Sequence, residues 1–351
     1  GYIWADTPVA QSAAWIGIYG LSVITIFWAA CVHWLFLRKR IFLMVLVLVG
    51  VWSVAWIGGD LRLTTKKAVL TEQTVRLVQP NAPQHQKWDP AFSRSFFERA
   101  LAFTAAEPSV DLVVWPESAL PVSFENAETL IEQIAVAADG TALLLGALRL
   151  ENEKVLNSIV YVDQNGSAEV VYDKHHLVPF GEYLPFERWL ERIGLGFTSD
   201  LFGTGFAAGE GPKLINMAPL GAIMPLICYE AVFPQDVSFA SQKATVLLQL
   251  TNDAWFGRFA GPQQHLAQAK MRSIEQGLPM IRVANTGISA MIDPYGRSLK
   301  QLGLNIAGFI DVQVPQPLPA TLYRRFEIWT VFALLLAILA LSLICRRQIS
   351  G

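Results

Sequence analysis

Ala222-Ile223-Met224-Pro225-Leu226-Ile227-Cys228-Tyr229-Glu230 is an apolar run that stops at a thiol, a phenol and a carboxylate. A short continuous apolar run of this kind reads as a strand buried on both faces. Cys228 then stands where the strand ends and the chain turns. Nucleophiles are placed at such ends, where backbone N–H groups are available to an oxyanion. A free thiol titrates near about 8.5, so attack at neutral pH requires a lowered pKa or an adjacent base. The same sequence must therefore supply a base and a cation.

Leu112-Val113-Val114-Trp115-Pro116-Glu117 repeats the pattern, with a carboxylate presented at the end of an apolar run, and Glu117 is the best candidate base. Lys174, in Tyr172-Asp173-Lys174-His175-His176, follows the strand-like run Ser158–Val162 and a turn at Asn165-Gly166, and is the best candidate cation. Further β-like runs fall at Thr74–Val78, Ala142–Leu145, Val246–Leu250, Met280–Val283 and Ser289–Ile292. Helical patterns separate them at Ala91–Ala106, Glu128–Ala138 and Gln263–Gln276; the last begins after Pro262 and stops at Gly277 and Pro279. Intermingled strands and helices predict α/β layers.

Outside this block the chain changes character. Of its 351 residues 53% are hydrophobic and 16% charged, and the mean hydropathy of +0.37 is too apolar for an ordinary soluble protein. Ser12–Leu37, Ile41–Gly59 and Ile328–Cys345 are each long enough to cross a hydrocarbon core of about 30 Å. Arg38-Lys39-Arg40 and Arg346-Arg347 fall on one side of these spans and predict the cytoplasm there, with Asp60 onward outside. Arg324-Arg325 conflicts with that rule. The expected organisation is a membrane region over 1–60 (spans 12–37 and 41–59), an exported catalytic domain over 61–325, and a C-terminal span with a cytoplasmic tail over 326–351. An opening at Gly1 without a basic n-region predicts a missing N-terminal portion rather than a signal peptide. In this topology Cys31 and Cys345 lie in spans, leaving Cys228 the lone thiol of the exported domain.

From Pro179 to Pro212 apolar residues, among them Phe186, Trp189, Phe197 and Phe206, are spaced among glycines. A long apolar insertion is more often functional than core, and on a membrane-tethered domain it predicts a flap that dips into lipid. The net charge of −2 and the lack of a long basic run exclude nucleic-acid binding. His175, His176 and His265 have no second cysteine or closely spaced acidic ligand, so no metal is expected. Gly203-Thr204-Gly205 lacks the ending of a phosphate loop.

Three segments, Trp115-Pro116-Glu117-Ser118, Tyr172 through Glu182 and Ile227-Cys228-Tyr229-Glu230, occur in the order of the Glu, Lys and Cys motifs of the nitrilase-like carbon–nitrogen hydrolase superfamily, which the chain resembles. The flanking spans, Val78-Gln79-Pro80-Asn81 with Lys87-Trp88, Pro179 through Pro185, and Thr251-Asn252-Asp253-Ala254-Trp255-Phe256-Gly257 narrow the resemblance to the bacterial apolipoprotein N-acyltransferase family, whose members carry more N-terminal spans.

That resemblance implies an α/β fold, a nitrilase-like α-β-β-α sandwich flanked by transmembrane helices, at the periplasmic side of the bacterial inner membrane. It implies Glu117 as general base, Lys174 as oxyanion stabiliser and Cys228 as nucleophile. A fatty acyl group would pass from a phospholipid, phosphatidylethanolamine, through a Cys228 thioester to the N-terminal amine of a diacylglyceryl-cysteine apolipoprotein. Supporting roles fall to Trp88, Glu182, Tyr229 and Glu230, with Asn252 and Trp255 at the pocket rim. No cofactor is implied. One chain supplies all three reacting groups, so a monomer is expected. The alternative is a membrane-tethered amide hydrolase with water as acceptor.

Overall fold

The computed structural model describes residues 1–186, 205–241, 243–257 and 259–350. Two six-stranded sheets form its centre. The first has the order β12-β1-β2-β3-β4-β5, with β1 Leu70–Gln79, β2 Leu112–Val114, β3 Ala142–Glu151, β4 Lys154–Val162, β5 Ala168–Asp173 and β12 Gly308–Pro315. The second has the order β11-β10-β9-β8-β7-β6, with β6 Ile215–Met217, β7 Gly221–Ile227, β8 Val246–Thr251, β9 Met280–Ala284, β10 Ser289–Ile292 and β11 Ser298–Leu302. β1, β2 and β3 run parallel, as do β7, β8 and β9.

The period of two along each strand sorts side chains into separate layers. Leu112 and Val114 point between the sheets, where they meet Ile223, Ile227, Leu248 and Val283. Val113, Leu143 and Leu145 point to the opposite face and pack on Phe97 and Ala100 of α4 (Pro90–Thr104) and Ile131 and Ile134 of α5 (Glu128–Ala138). The outer face of the second sheet packs Met224, Leu247 and Met280 on Val237 of α6 (Pro234–Ser241) and Leu266 and Ala269 of α7 (Gly261–Gln276). The result is an α-β-β-α sandwich whose parallel strands are covered on both faces, as their continuous apolar runs require.

The eight strands readable as apolar runs are the eight interior strands. The other four, β5, β6, β11 and β12, are the sheet edges. Edge strands are less covered and carry more polar residues, as in the Ser-Leu-Lys-Gln-Leu of β11.

Among the described residues two helices, Pro8–Leu37 and Ile41–Thr65, are long and apolar enough to cross a membrane. The second carries large exposed apolar side chains such as Phe42 and Val54 and continues past the expected end at Gly59 to Thr65, taking Asp60 and Arg62 onto the helix. Near the C-terminus, Glu327 at φ +51° separates Leu322–Phe326 (α8) from Trp329–Ser350 (α9). Arg324 is therefore not a flank of the last helix. It is buried, and its guanidinium donates to the carbonyl of Ala244, which removes one half of the Arg324-Arg325 conflict. Most of the expected flap, 187–204, lies outside the described residues, as does Gly203-Thr204.

The first membrane helix is anchored on the sandwich. α1 (Ala13–Leu37) breaks at Gly17, whose φ of +63° and whose approach to the Tyr323 ring, 2.2 Å from where a Cβ would lie, exclude any other residue. The break frees the N–H of Ile18, which donates to Glu275 of α7 at 2.7 Å. Glu275 and Arg272 form a fully buried charge pair at 2.8 Å.

A second close approach positions the candidate base. Gly146 of β3 lies beneath the chain after β2, and a Cβ there would sit 2.6 Å from the Cα of Glu117 and the N of Ser118. Backbone on backbone cannot give way cheaply. Gly146→Val is expected to destabilise the protein by about 1–3 kcal/mol, read as a lowered midpoint of thermal unfolding in detergent; an unchanged midpoint would show that this contact does not constrain the fold.

Candidate active site

Glu117, Lys174 and Cys228 come from three strand ends and converge on one cleft. Pro116 has no N–H, so the β2 ladder stops there. The chain stays pinned to β3 because Trp115 N–H donates to Leu144 at 2.8 Å and Ala119 N–H donates to Gly146 at 2.7 Å. Lys174 follows β5, held by its N–H to the Asn157 carbonyl and its own carbonyl to Gly209 N–H, each 2.8 Å. Cys228 follows β7 and opens a single 3-10 turn, Cys228–Val232, at φ +49°. A positive φ is strained for a side chain that is not glycine, and such strain is characteristic of functional positions.

Glu117 is buried and spans the two sheets. Oε1 accepts from Asn157 Nδ2 on β4 at 2.6 Å, and Oε2 accepts from the backbone N–H of Asn252, after β8, at 2.7 Å. The Lys174 ammonium lies 3.9 Å from Glu117 Oε1 and donates to Glu182 Oε1 at 2.6 Å. Burial opposes charge on Lys174, but Glu117, Cys228 and Glu182 outweigh it and hold its pKa above the ordinary value. Glu182 is raised, chiefly by burial and in part by Glu117, against the pull of Lys174.

The Cys228 thiol is pushed well up, first by burial and then by Glu117, with Lys174 opposing. Its resting form is the neutral thiol. Of the two routes open to a cysteine nucleophile, an environment that raises the thiol pKa excludes the lowered-pKa route and leaves the adjacent base.

The supporting residues separate by contact. Glu182 holds Lys174. Glu230, fully buried, accepts from the backbone N–H groups of His175 and Ile227, each at 2.7 Å, and from the Tyr172 hydroxyl at 3.0 Å. It thereby staples the turn after Cys228 to the loop after Lys174. Asn252 bonds Gln84 and Asn285 as well as Glu117. Trp88 and Trp255 line the cleft with partly exposed rings, and Tyr229 meets the Phe233 ring edge-on at 5.1 Å.

Two buried cleft residues receive no role in the motif reading. Asn157 is a polar side chain inside the apolar strand β4, which is itself a signal, since a buried amide requires a partner. Lys87, buried at the end of a single turn (Gln84–Lys87, α3), donates to the Glu117 carbonyl at 3.1 Å and lies 5.3 Å from the Trp88 ring centroid. Burial lowers its pKa to about 8, against the opposing pull of Glu117 and Cys228.

The histidines acquire an acidic neighbour that the sequence does not place beside them. Asp236 lies 2.6 Å from His176 Nδ1 and 3.3 Å from His175 Nε2. Although burial opposes it, Asp236 and Glu230 push the His175 pKa up to about 9. The expectation of no metal rests on histidines without a nearby acidic ligand, and the fold overturns that premise: His175, His176 and Asp236 bring one ligand atom each to within 4.8 Å of one another.

The cleft has a volume of about 160 Å³. Its mouth carries the exposed aromatic rings of Trp88, Trp255 and Phe256.

The carbon-nitrogen hydrolase family model matches residues 73–321. Curated relatives include the apolipoprotein N-acyltransferases of Rhodopseudomonas palustris and Bradyrhizobium diazoefficiens. Each is 36% identical to the chain; the alignments cover 99% and 100% of the chain respectively, and 69% of each relative. The Brucella melitensis apolipoprotein N-acyltransferase is 37% identical over 90% of the chain and 62% of its own length. Among solved structures, an amidase from Nesterenkonia superposes with a TM-score of 0.50 at 20% identity, covering 72% of this chain and 94% of its own. XC1258 of Xanthomonas campestris, a CN-hydrolase superfamily protein, superposes with a TM-score of 0.50 at 20% identity, covering 70% and 91%. At that identity these two speak for the fold.

The depressed Lys87 gives a signed prediction. Below about pH 8 this lysine is protonated in both folded and unfolded protein, and its burial opposes folding in full. Between about 8 and the ordinary lysine value of 10.5 the folded form has released its proton while the unfolded form keeps it, so stability rises with pH. The unfolding midpoint of the wild type should therefore climb relative to that of Lys87→Met across this window. Parallel curves would place Lys87 outside the buried setting described.

Proposed function

The chain belongs to the carbon-nitrogen hydrolase family and, within it, to the apolipoprotein N-acyltransferases, and from that premise we propose that it transfers a fatty acyl group from a phospholipid to the N-terminal amine of a diacylglyceryl-cysteine apolipoprotein. The observation that carries this reading is the convergence of a buried neutral thiol, a buried carboxylate and a buried ammonium in one cleft with an aromatic mouth, on a chain with membrane-length helices.

In the first half-reaction the Cys228 thiol attacks the ester carbonyl of phosphatidylethanolamine as Glu117 takes the thiol proton. The tetrahedral oxyanion is met by the Lys174 ammonium and by backbone N–H groups of the turn after Cys228. Collapse breaks the ester C–O bond, Glu117 returns the proton to the departing oxygen, and a lysophospholipid leaves behind an acyl thioester. In the second half the lipoprotein α-amine attacks the thioester. Glu117 takes the amine proton, the C–S bond breaks, and the thiolate recovers that proton as the amide leaves. This is a two-step exchange at one cysteine.

The neutral resting thiol supports a deprotonation timed to attack. A cleft of this volume accommodates the reacting ester and its nearest groups, and leaves the rest of an acyl chain to lie along the apolar mouth. The proposed location is the bacterial inner membrane, with the sandwich on the periplasmic side and one chain acting alone.

Incubation of the purified protein with phosphatidylethanolamine should add one fatty acyl mass, sensitive to hydroxylamine and absent in Cys228→Ala, as read by intact mass spectrometry. Glu117→Gln and Lys174→Met should each slow formation of that adduct by about 10²-fold or more. Release of free fatty acid or ammonia without an adduct would replace the transferase with a tethered hydrolase.

A further inference from the structure

The strained backbone of Cys228 requires something to hold it, and the residues that do so lie behind the cleft. The Cys228 carbonyl is 3.1 Å from Gln249 Nε2 on β8 and 3.1 Å from His265 Nε2 on α7. These two nitrogens are also 2.9 Å from each other. Only one hydrogen can lie between them, so the network must say which nitrogen carries it.

Arg282 on β9 decides the question. Its Nη1 lies 2.5 Å from Gln249 Oε1, and a guanidinium can only donate. The Gln249 amide is thereby fixed with its oxygen toward Arg282 and its NH₂ toward Cys228 and His265. One amide hydrogen goes to the Cys228 carbonyl, the other to His265 Nε2, which is therefore an acceptor. The imidazole proton is left on Nδ1, where it donates to Asp253 Oδ1 at 2.7 Å. Asp253 closes the ring, accepting from Arg282 Nη2 at 2.6 Å and from Thr251 Oγ1 at 3.0 Å. Burial alone would raise its pKa, but Arg282 and His265 bring it down to about 2, so it stays ionised. Gln249, Asp253, His265 and Arg282 are all buried, so water does not substitute for a lost partner.

We propose that Gln249, locked by Arg282 and His265, is a positioning residue of the acyl-transfer reaction: it fixes the peptide between Cys228 and Tyr229 so that the thiol faces Glu117 and the Tyr229 N–H faces the oxyanion. The peptide is planar and trans, so its N–H points opposite to its C=O. Holding the carbonyl toward the buried network aims the N–H away from it. Gln249 touches only the backbone of the nucleophile, which distinguishes it from the groups that meet substrate. This inference rests on the acyl-transfer reading of the same cleft.

The test is Gln249→Glu, which keeps the shape and the acceptor for Arg282 and removes the NH₂. Single-turnover acylation by phosphatidylethanolamine should slow roughly tenfold or more at saturating lipid, since misplacing a reacting group by an ångström costs on this scale. The half-saturating lipid concentration should stay as in the wild type, while the unfolding midpoint falls because the Cys228 carbonyl and His265 Nε2 lose a buried donor; the rate is therefore taken per folded molecule. Should Gln249→Glu fail to fold, His265→Asn keeps the bond to Asp253 through its amide nitrogen while deleting the Nε2 acceptor, and is expected to lower the saturating rate in the same way. A wild-type rate per folded molecule in the variant, or an effect confined to half-saturation, overturns the proposal. If the wild type itself forms no acyl-enzyme, the acyl-transfer reading fails instead. Alkylation of Cys228 by iodoacetamide, expected to be at least about threefold slower in Gln249→Glu for the same loss of alignment, then decides the positioning role, and an equal alkylation rate overturns it.

Discussion

The carboxylate of Glu117 ties the two sheets to each other and to the cleft. It starts from β2 of one sheet, takes a hydrogen bond from Asn157 of the same sheet and another from the backbone after β8 of the other. A buried carboxylate is tolerable only with its lone pairs filled and a countercharge near. Asn157 and Asn252 supply the first and Lys174, 3.9 Å away, the second. Neither sheet can shift along the other without stripping that group, so the sandwich interface and the alignment of Glu117 with Cys228 are one constraint.

The same burial dictates how the thiol works. In a cleft that already holds Glu117 and Glu182 against Lys174, a thiolate would be one more anion, and burial alone drives the Cys228 pKa up. In the proposed mechanism the thiol therefore stays neutral until a carbonyl arrives. Lys174 is committed to Glu182 at 2.6 Å, so its position is fixed before any oxyanion develops, and little reorganisation remains for the moment of reaction.

The amino-acid pattern disclosed this site unevenly, for physical reasons. Interior strands of a covered parallel sheet are continuously apolar, so β1 to β4 and β7 to β10 were readable, and a residue that ends such a run, Glu117 or Cys228, stood out. Edge strands carry polar residues that match loops in composition, and β5, β6, β11 and β12 were not readable. The strand leading into Lys174 is one of these, so its motif was visible but not its support. Single polar residues inside apolar strands, Asn157 in β4, Gln249 in β8 and Arg282 in β9, carried a signal of another kind. Each needs a buried partner, but the partner lies on a different element, and local periodicity does not say which.

The distances between these partners explain why the site and the membrane attachment are not independent. Helix α7 presents His265 to the Cys228 carbonyl network near its start and Glu275, paired with Arg272, to the broken turn of α1 near its end. The two contacts are ten residues apart on one helix, about 15 Å at 1.5 Å per residue. A helix of that length packed on β8 and β9 behaves as a rigid strut. The break at Gly17 leaves the N–H of Ile18 without a helical acceptor, and Glu275 is the side chain that supplies one. Tilting α1 away would therefore bury an unpaired N–H and release one end of the strut whose other end steadies Cys228. A membrane helix joined by a flexible linker would place the sandwich near a bilayer in any orientation. Joined through α7, it places the aromatic mouth of the cleft in a set relation to the span.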